Sequence, residues 1–84
     1  MTADLIAFLN ARLGERKLLA ERISEVVDLP VLREVEAMCA IIADCARALT
    51  YPANAPLAGL ARRTLMHLAA FWPDHPDYRQ EWKP

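Results

Sequence analysis

Glycine occurs only twice in these 84 residues, at Gly14 and Gly59, and serine once, at Ser24. No loop rich enough in glycine to cradle a phosphate is therefore present, and neither a P-loop nor a dinucleotide-binding fingerprint occurs. There are two cysteines, Cys39 and Cys45. On one helix their spacing separates them by ~9 Å along the axis, beyond the reach of a disulfide. They lack the CxxC or Cys/His spacing of a metal or redox site. They read as reduced, small core residues of a cytoplasmic protein. No charge of one sign dominates, since ten basic and eleven acidic residues give a net charge of −1. That balance argues against a nucleic-acid or membrane surface, which usually carries a basic excess. The longest uninterrupted apolar run, Ala37 to Ala43, falls far short of the ~20 residues of a membrane span. No basic segment precedes an early apolar stretch, so no signal peptide is expected.

What is abundant is alanine, with fifteen copies inside a hydrophobic fraction of 55%. Alanine lets helices approach closely but adds little apolar area per residue. A chain of this length makes one domain and buries only ~60–65% of the surface that its unfolded form exposes. The expected stability is on the order of 3–5 kcal/mol, and self-association would add to it.

The periodicity predicts an all-α fold, a three-helix bundle with a short C-terminal helical turn folded back on it. The first helix is expected over residues 3–27, with Leu5, Leu9, Leu19, Ile23 and Val26 as its buried stripe and Ile6, Leu13, Ala20 and Val27 beside it. Gly14 should weaken this helix without breaking it, because the pattern continues on both sides. The second helix is expected over residues 30–49, along Val31, Val35, Met38, Ile42, Cys45 and Leu49. From Ala37 to Ala43 it is apolar all round, so it should be covered on more than one face, by the other helices or by a second subunit. The third is expected over residues 56–72, burying Leu57, Leu60, Ala61, Leu65, Leu68 and Trp72. Asp28-Leu29-Pro30, Asn54-Ala55-Pro56 and Asp74-His75-Pro76 share an Asx-x-Pro pattern. It suits a helix start, because proline is tolerated in a first turn and the Asx side chain can accept from a free amide. The third copy predicts a turn over 76–82 in which Tyr78 and Trp82 share a face.

Four of the six aromatic residues lie between Phe71 and Pro84. Such a tail frays unless something holds it, and two tryptophans and a tyrosine are costly to leave in water. It is read here as a clasp that lays Trp72, Tyr78 and Trp82 over a thin core. The competing reading is a recognition segment, since Trp, Tyr and Arg dominate interface hot spots.

Other constellations are weaker. Asp74, His75 and Asp77 are suitable metal ligands by type, but they crowd into four residues with no second cluster to complete a shell, so helix capping and surface polarity explain them better. His67 stands beside Arg63 on a polar helix face with no nucleophile to activate. Arg47, Arg62, Arg63 and His67 form at most a small basic patch, and the connection from Thr50 to Ala55 is longer than a helix-turn-helix turn.

The tail from Asp74 to Pro84 resembles the ending of a family of small uncharacterised proteins from actinobacteria and their phages, whose members close on a DHPxYRxEW-P pattern after a Leu- and Ala-rich helix. The blocks Asp4 to Leu9 and Val31 to Ala37 resemble that family's first two blocks. The longer polar middle common in the family is replaced here by Tyr51 to Ala55. The resemblance implies a cytosolic protein of bacterial or phage origin and carries over no catalytic residue.

The expected function is thus a non-enzymatic protein–protein interaction module, a self-associating adaptor or inhibitor, with a small DNA-associated transcriptional regulator as the alternative. The interaction candidates are Trp72, Tyr78, Arg79, Trp82, Met38 and Ile41. No catalytic residue, metal or cofactor is expected. The expected partner is a second copy (a homodimer) or another protein, with no membrane and no nucleic acid.

Overall fold

A computed structural model describes residues 2–22 and 29–84. Three helices, α1 (Thr2–Arg22), α2 (Leu29–Ala48) and α3 (Pro56–Ala69), are followed by a single 3₁₀ turn, Gln80–Trp82. No strand occurs among the described residues. Each helix packs against the other two. The expected end of α1, with Ile23, Val26 and Val27, lies outside the described residues, as does Asp28 of the first Asx-x-Pro. Gly14 sits inside α1 without breaking it, and no atom stands within 4 Å of where a Cβ would be.

The core joins Leu5, Phe8, Leu9 and Leu13 of α1 to Val35, Ile42 and Cys45 of α2 and to Ala61, Leu65 and Ala69 of α3. Val31, Met38 and Leu49 pack against its edge, so the expected α2 stripe is the one that faces inward. Burial in this apolar setting raises the pKa of the Cys45 thiol above its ordinary value. Both thiols are free, but Cys39 is exposed rather than part of the core.

Two expectations are corrected. Leu19 of α1 is exposed, as is its neighbour Leu18. Phe8, outside the expected stripe, is buried in the core. On α3 the large residues expected inside, Leu57 and Leu60, are 51% and 56% exposed, and Ala58, Ala61, Leu65 and Ala69 are buried instead. These four recur at i, i+3, i+7 and i+11, an inward stripe made mostly of small side chains. Small residues there let α3 approach its neighbours closely, and the bulkier leucines are left on its flank. The other two helices cover α2 on one side only: Ala37, Cys39, Ala40, Ile41 and Ala43 are all exposed within one chain.

The connections depart from the sequence reading as well. Helix α3 stops at Ala69, short of Trp72. Its N-cap is Ala55, with extended backbone and no side-chain cap, so Asn54 does not cap it while Pro56 does open it. Thr50 to Ala55 closes through two turns, Thr50 N–H to the Arg47 carbonyl and Ala55 N–H to the Pro52 carbonyl. Arg62 donates to the Ala53 carbonyl at 3.0 Å and ties this connection to α3. The third Asx-x-Pro opens no helix. There the Asp77 amide donates to His75 Nδ1 at 3.0 Å and the Tyr78 amide to the His75 carbonyl at 2.9 Å, which fixes a turn.

Candidate functional site

The tail returns to α1 and closes on Phe8. Trp82 stands 5.1 Å from the Phe8 ring, His75 5.5 Å, Tyr78 6.2 Å and Trp72 6.3 Å, centroid to centroid. Three of these four pairs meet edge to face, the arrangement that ring quadrupoles favour. The Tyr78 and Trp82 rings meet edge to face 5.9 Å apart, although the expected helical turn over 76–82 is reduced to Gln80–Trp82 and does not include Tyr78. Trp82 is only 3% exposed and belongs to the core. Its indole N–H has no hydrogen-bond partner among the described residues. Shape and apolar area therefore hold this ring, and no directional bond adds to them.

Charged groups fasten the tail from outside. Arg12, 8% exposed, sits over the Phe8 ring, donates to Glu15 at 2.8 Å and lays its Nη1 against the edge of the His75 ring, with Asp77 at 3.7 Å. Arg79 pairs with Asp4 at 3.1 Å and Glu81 at 3.6 Å and lies over the Trp82 ring. The Arg79 pairs are exposed on both sides and each contributes less than about 1 kcal/mol, and the carboxylates facing buried Arg12 are themselves open to water. The aromatic packing therefore stabilises the tail more than the ion pairs do, and the arginines set its register.

Between the tail and α1 lies an open cleft of about 510 Å³, lined by Asp4, Phe8, Arg12, Asp77, Tyr78 and Arg79 among others. Its two arginines already face its two aspartates. No uncompensated charge is left along this lining to select a ligand. Among the described residues no group of three His, Cys, Asp or Glu side chains could hold a metal ion. Asp77 and His75 spend their polar atoms on Arg12 and the local turn. No described helix is long and apolar enough to cross a membrane. The expected basic patch is also dispersed, because Arg62 holds Ala53 and Arg47 pairs with Asp44.

The six interaction candidates consequently fall into different settings. Trp82 is enclosed, Trp72 and Tyr78 are half-buried against the core, and Met38 packs on its edge. Arg79 is exposed but ion-paired, and Ile41 is 41% exposed.

Sequence reasoning named the α2 part of an open apolar surface, through Ile41, and missed that α3 shares it, because Leu57 and Leu60 were expected in the core. Along α3, Leu57, Leu60 and Thr64 recur at i, i+3 and i+7 on the open flank, while Leu68 packs against the core and Phe71, past the helix end, lies under the Arg16 guanidinium. Along α2, Ala37, Ile41 and Asp44 are exposed at i, i+4 and i+7, Ala48 packs against the core, and Tyr51 is exposed just past the helix end. A furrow of about 160 Å³ runs between Asp44, Cys45 and Ala48 on one side and Leu57, Leu60 and Thr64 on the other. A second hollow, beside Tyr51 and Leu57, continues it toward the connection. The spacing carries the signal, but the periodicity of Leu57 and Leu60 fits a core stripe equally well.

A family model described as a family of unknown function (DUF6221) matches residues 28–84, covering α2, the connection, α3 and the whole tail. The chain belongs to this family. The match includes the Val31–Ala37 block and the aromatic ending, whereas the Asp4–Leu9 block lies outside it. No curated protein and no solved structure matches the chain. In this chain the family region supplies both the clasp and the open α2–α3 face. Residues before it supply Phe8 and Arg12, the groups the clasp closes on.

Proposed function

We propose that this chain is a non-enzymatic protein–protein interaction module, a self-associating adaptor or inhibitor of bacterial or phage origin, that binds through the α2–α3 face. The observation that carries this reading is the exposure of Ile41, Tyr51, Leu57 and Leu60 on a protein with so small a core. Isolated exposed leucines are ordinary, but a row of them at helical spacing along a furrow suits a docked helix. The tail aromatics serve the fold in this reading, and Ile41 is the one of the six candidates that serves binding.

The test is affinity capture from a native-like lysate that includes untagged copies of the chain. The tagged chain is compared with Leu57→Glu and Arg79→Ala. Leu57→Glu abolishes capture of every partner, because a carboxylate at a buried apolar contact is left unpaired. Arg79→Ala leaves capture intact. Capture lost in Arg79→Ala but kept in Leu57→Glu assigns binding to the tail and refutes this reading.

A further inference from the structure

We infer that the occupant of the α2–α3 face is a second copy of this chain, related by a two-fold axis parallel to the helices. The inference rests on the interaction reading above and names its partner and geometry. Such an axis lays α3 of one copy over α2 of the other and completes a four-helix layer from two helix pairs.

Three features of the face favour this occupant. The first is shape. The α3 flank is a ridge of Leu57 and Leu60, whereas the α2 side holds Asp44 and Ala48 between Ile41 and Tyr51, with the Asp44 carboxylate neutralised by Arg47. Ridge and trough lie side by side on one molecule, so a two-fold rotation seats each ridge in the other copy's trough. At matched heights Leu57 lies near the second copy's Tyr51 and Ala48, and Leu60 near its Ala48 and Asp44. The pairing of these segments within one copy sets those heights.

The second is area. The four large apolar residues Ile41, Tyr51, Leu57 and Leu60, at 41% to 56% exposure, offer on the order of 400 Å² together. A standard interface buries ~800 Å² per partner, a little over half of it apolar. The open apolar area of one copy therefore matches what a stable homodimer uses.

The third is charge. Two copies of net charge −1 repel little. The open flank of α3 carries Arg63, which makes no ion pair among the described residues, and Glu36 on α2 likewise makes none among them. Stacking α3 on α3 would bring Arg63 and His67 against their own copies. Stacking α3 on α2 avoids that.

The experiment is sedimentation equilibrium across a concentration series, in reductant so that exposed Cys39 cannot cross-link, on the wild-type chain, Leu60→Glu and Ile41→Arg. Circular dichroism checks that each variant keeps its helices. Both altered positions are exposed and lie away from the clasp, and Ile41→Arg provides a second readout should Leu60→Glu fail to fold. The wild-type chain forms a dimer, and each variant raises its dissociation constant at least about tenfold. A wild-type chain that stays monomeric to about 500 μM overturns the inference, and so does a dimer that neither variant weakens. Lysate capture by the same samples separates this failure from that of the broader reading. A monomer whose capture of a different protein needs Leu60 retains the interaction face and loses only the second copy. A monomer that captures nothing loses both.

Discussion

Trp82→Ala should lower the melting temperature by more than about 10 °C and leave a population that is partly unfolded at about 37 °C. The ring is 3% exposed, is held in the core and touches both Phe8 and Tyr78. Emptying such a site costs ~3–5 kcal/mol, from lost transfer energy and the cavity left behind. For a domain of this size each kcal/mol moves the melting temperature by about 4–8 °C. A small domain has little stability beyond that loss. Trp82→Phe provides the contrast. Because the indole N–H has no partner among the described residues, replacing it removes no hydrogen bond, and the benzene ring keeps most of the apolar contact. Its expected loss is well under half that of alanine, as thermal denaturation followed by far-ultraviolet circular dichroism will measure. A melt of Trp82→Ala matching wild type would mean that the ring is free in solution.

Phe8→Ala is expected to be comparably severe, and for a related reason. Phe8 is the one ring that meets Trp72, His75, Tyr78 and Trp82 at once, and the Arg12 guanidinium covers its face. Removing it costs ~3–5 kcal/mol through the cavity alone. It also strips the tail of its anchor, so the two truncations act on one unit. Residues in contact are not additive. The Phe8→Ala/Trp82→Ala double variant should therefore lose less than the sum of the single losses, by about 1 kcal/mol or more. Chemical denaturation midpoints of the four proteins at a common slope provide the comparison. Strict additivity would place the tail and α1 in separate parts of the molecule.

Much of this architecture is legible in the sequence. The inward stripe of α2 follows from its 3.6-residue repeat, and the tail's aromatic density points to a clasp. The faces of α1 and α3 are harder to read, because each helix carries two apolar stripes. On α3, Leu57-Leu60-Thr64-Leu68 and Ala58-Ala61-Leu65-Ala69 repeat with the same period and differ only by a rotation of about 100°. Hydrophobicity favours the first stripe, and close helix packing favours the second. The fold uses the second for its core, and sequence alone offers no measure of how near the neighbouring helices approach. On α1 the leucines at 18 and 19 continue the apolar pattern along a part of the helix where only Ala20 is buried. The pairing of Arg79 with Asp4 and of Arg12 with His75 joins residues 75 and 63 positions apart. No local pattern could announce those contacts.

The division of labour that follows is specific. Aromatic residues gathered at one end of the chain complete the core, and leucines that look like core make the open face. A reading that sends Trp72, Tyr78 and Trp82 to a partner must first detach them from Phe8. That would cost the fold the contacts on which a core of this size depends.

Native-state hydrogen exchange tests that assignment most directly. The amides of His75, Tyr78, Trp82 and Lys83 donate to the carbonyls of Trp72, His75, Arg79 and Gln80. If the clasp is part of the cooperative unit, these four amides exchange through the same opening as the helix interiors. They then show protection close to that of Leu9 and Leu65. Exchange at the rate of an unstructured peptide, with the helices still protected, would show the tail detached from the core and contradict the account.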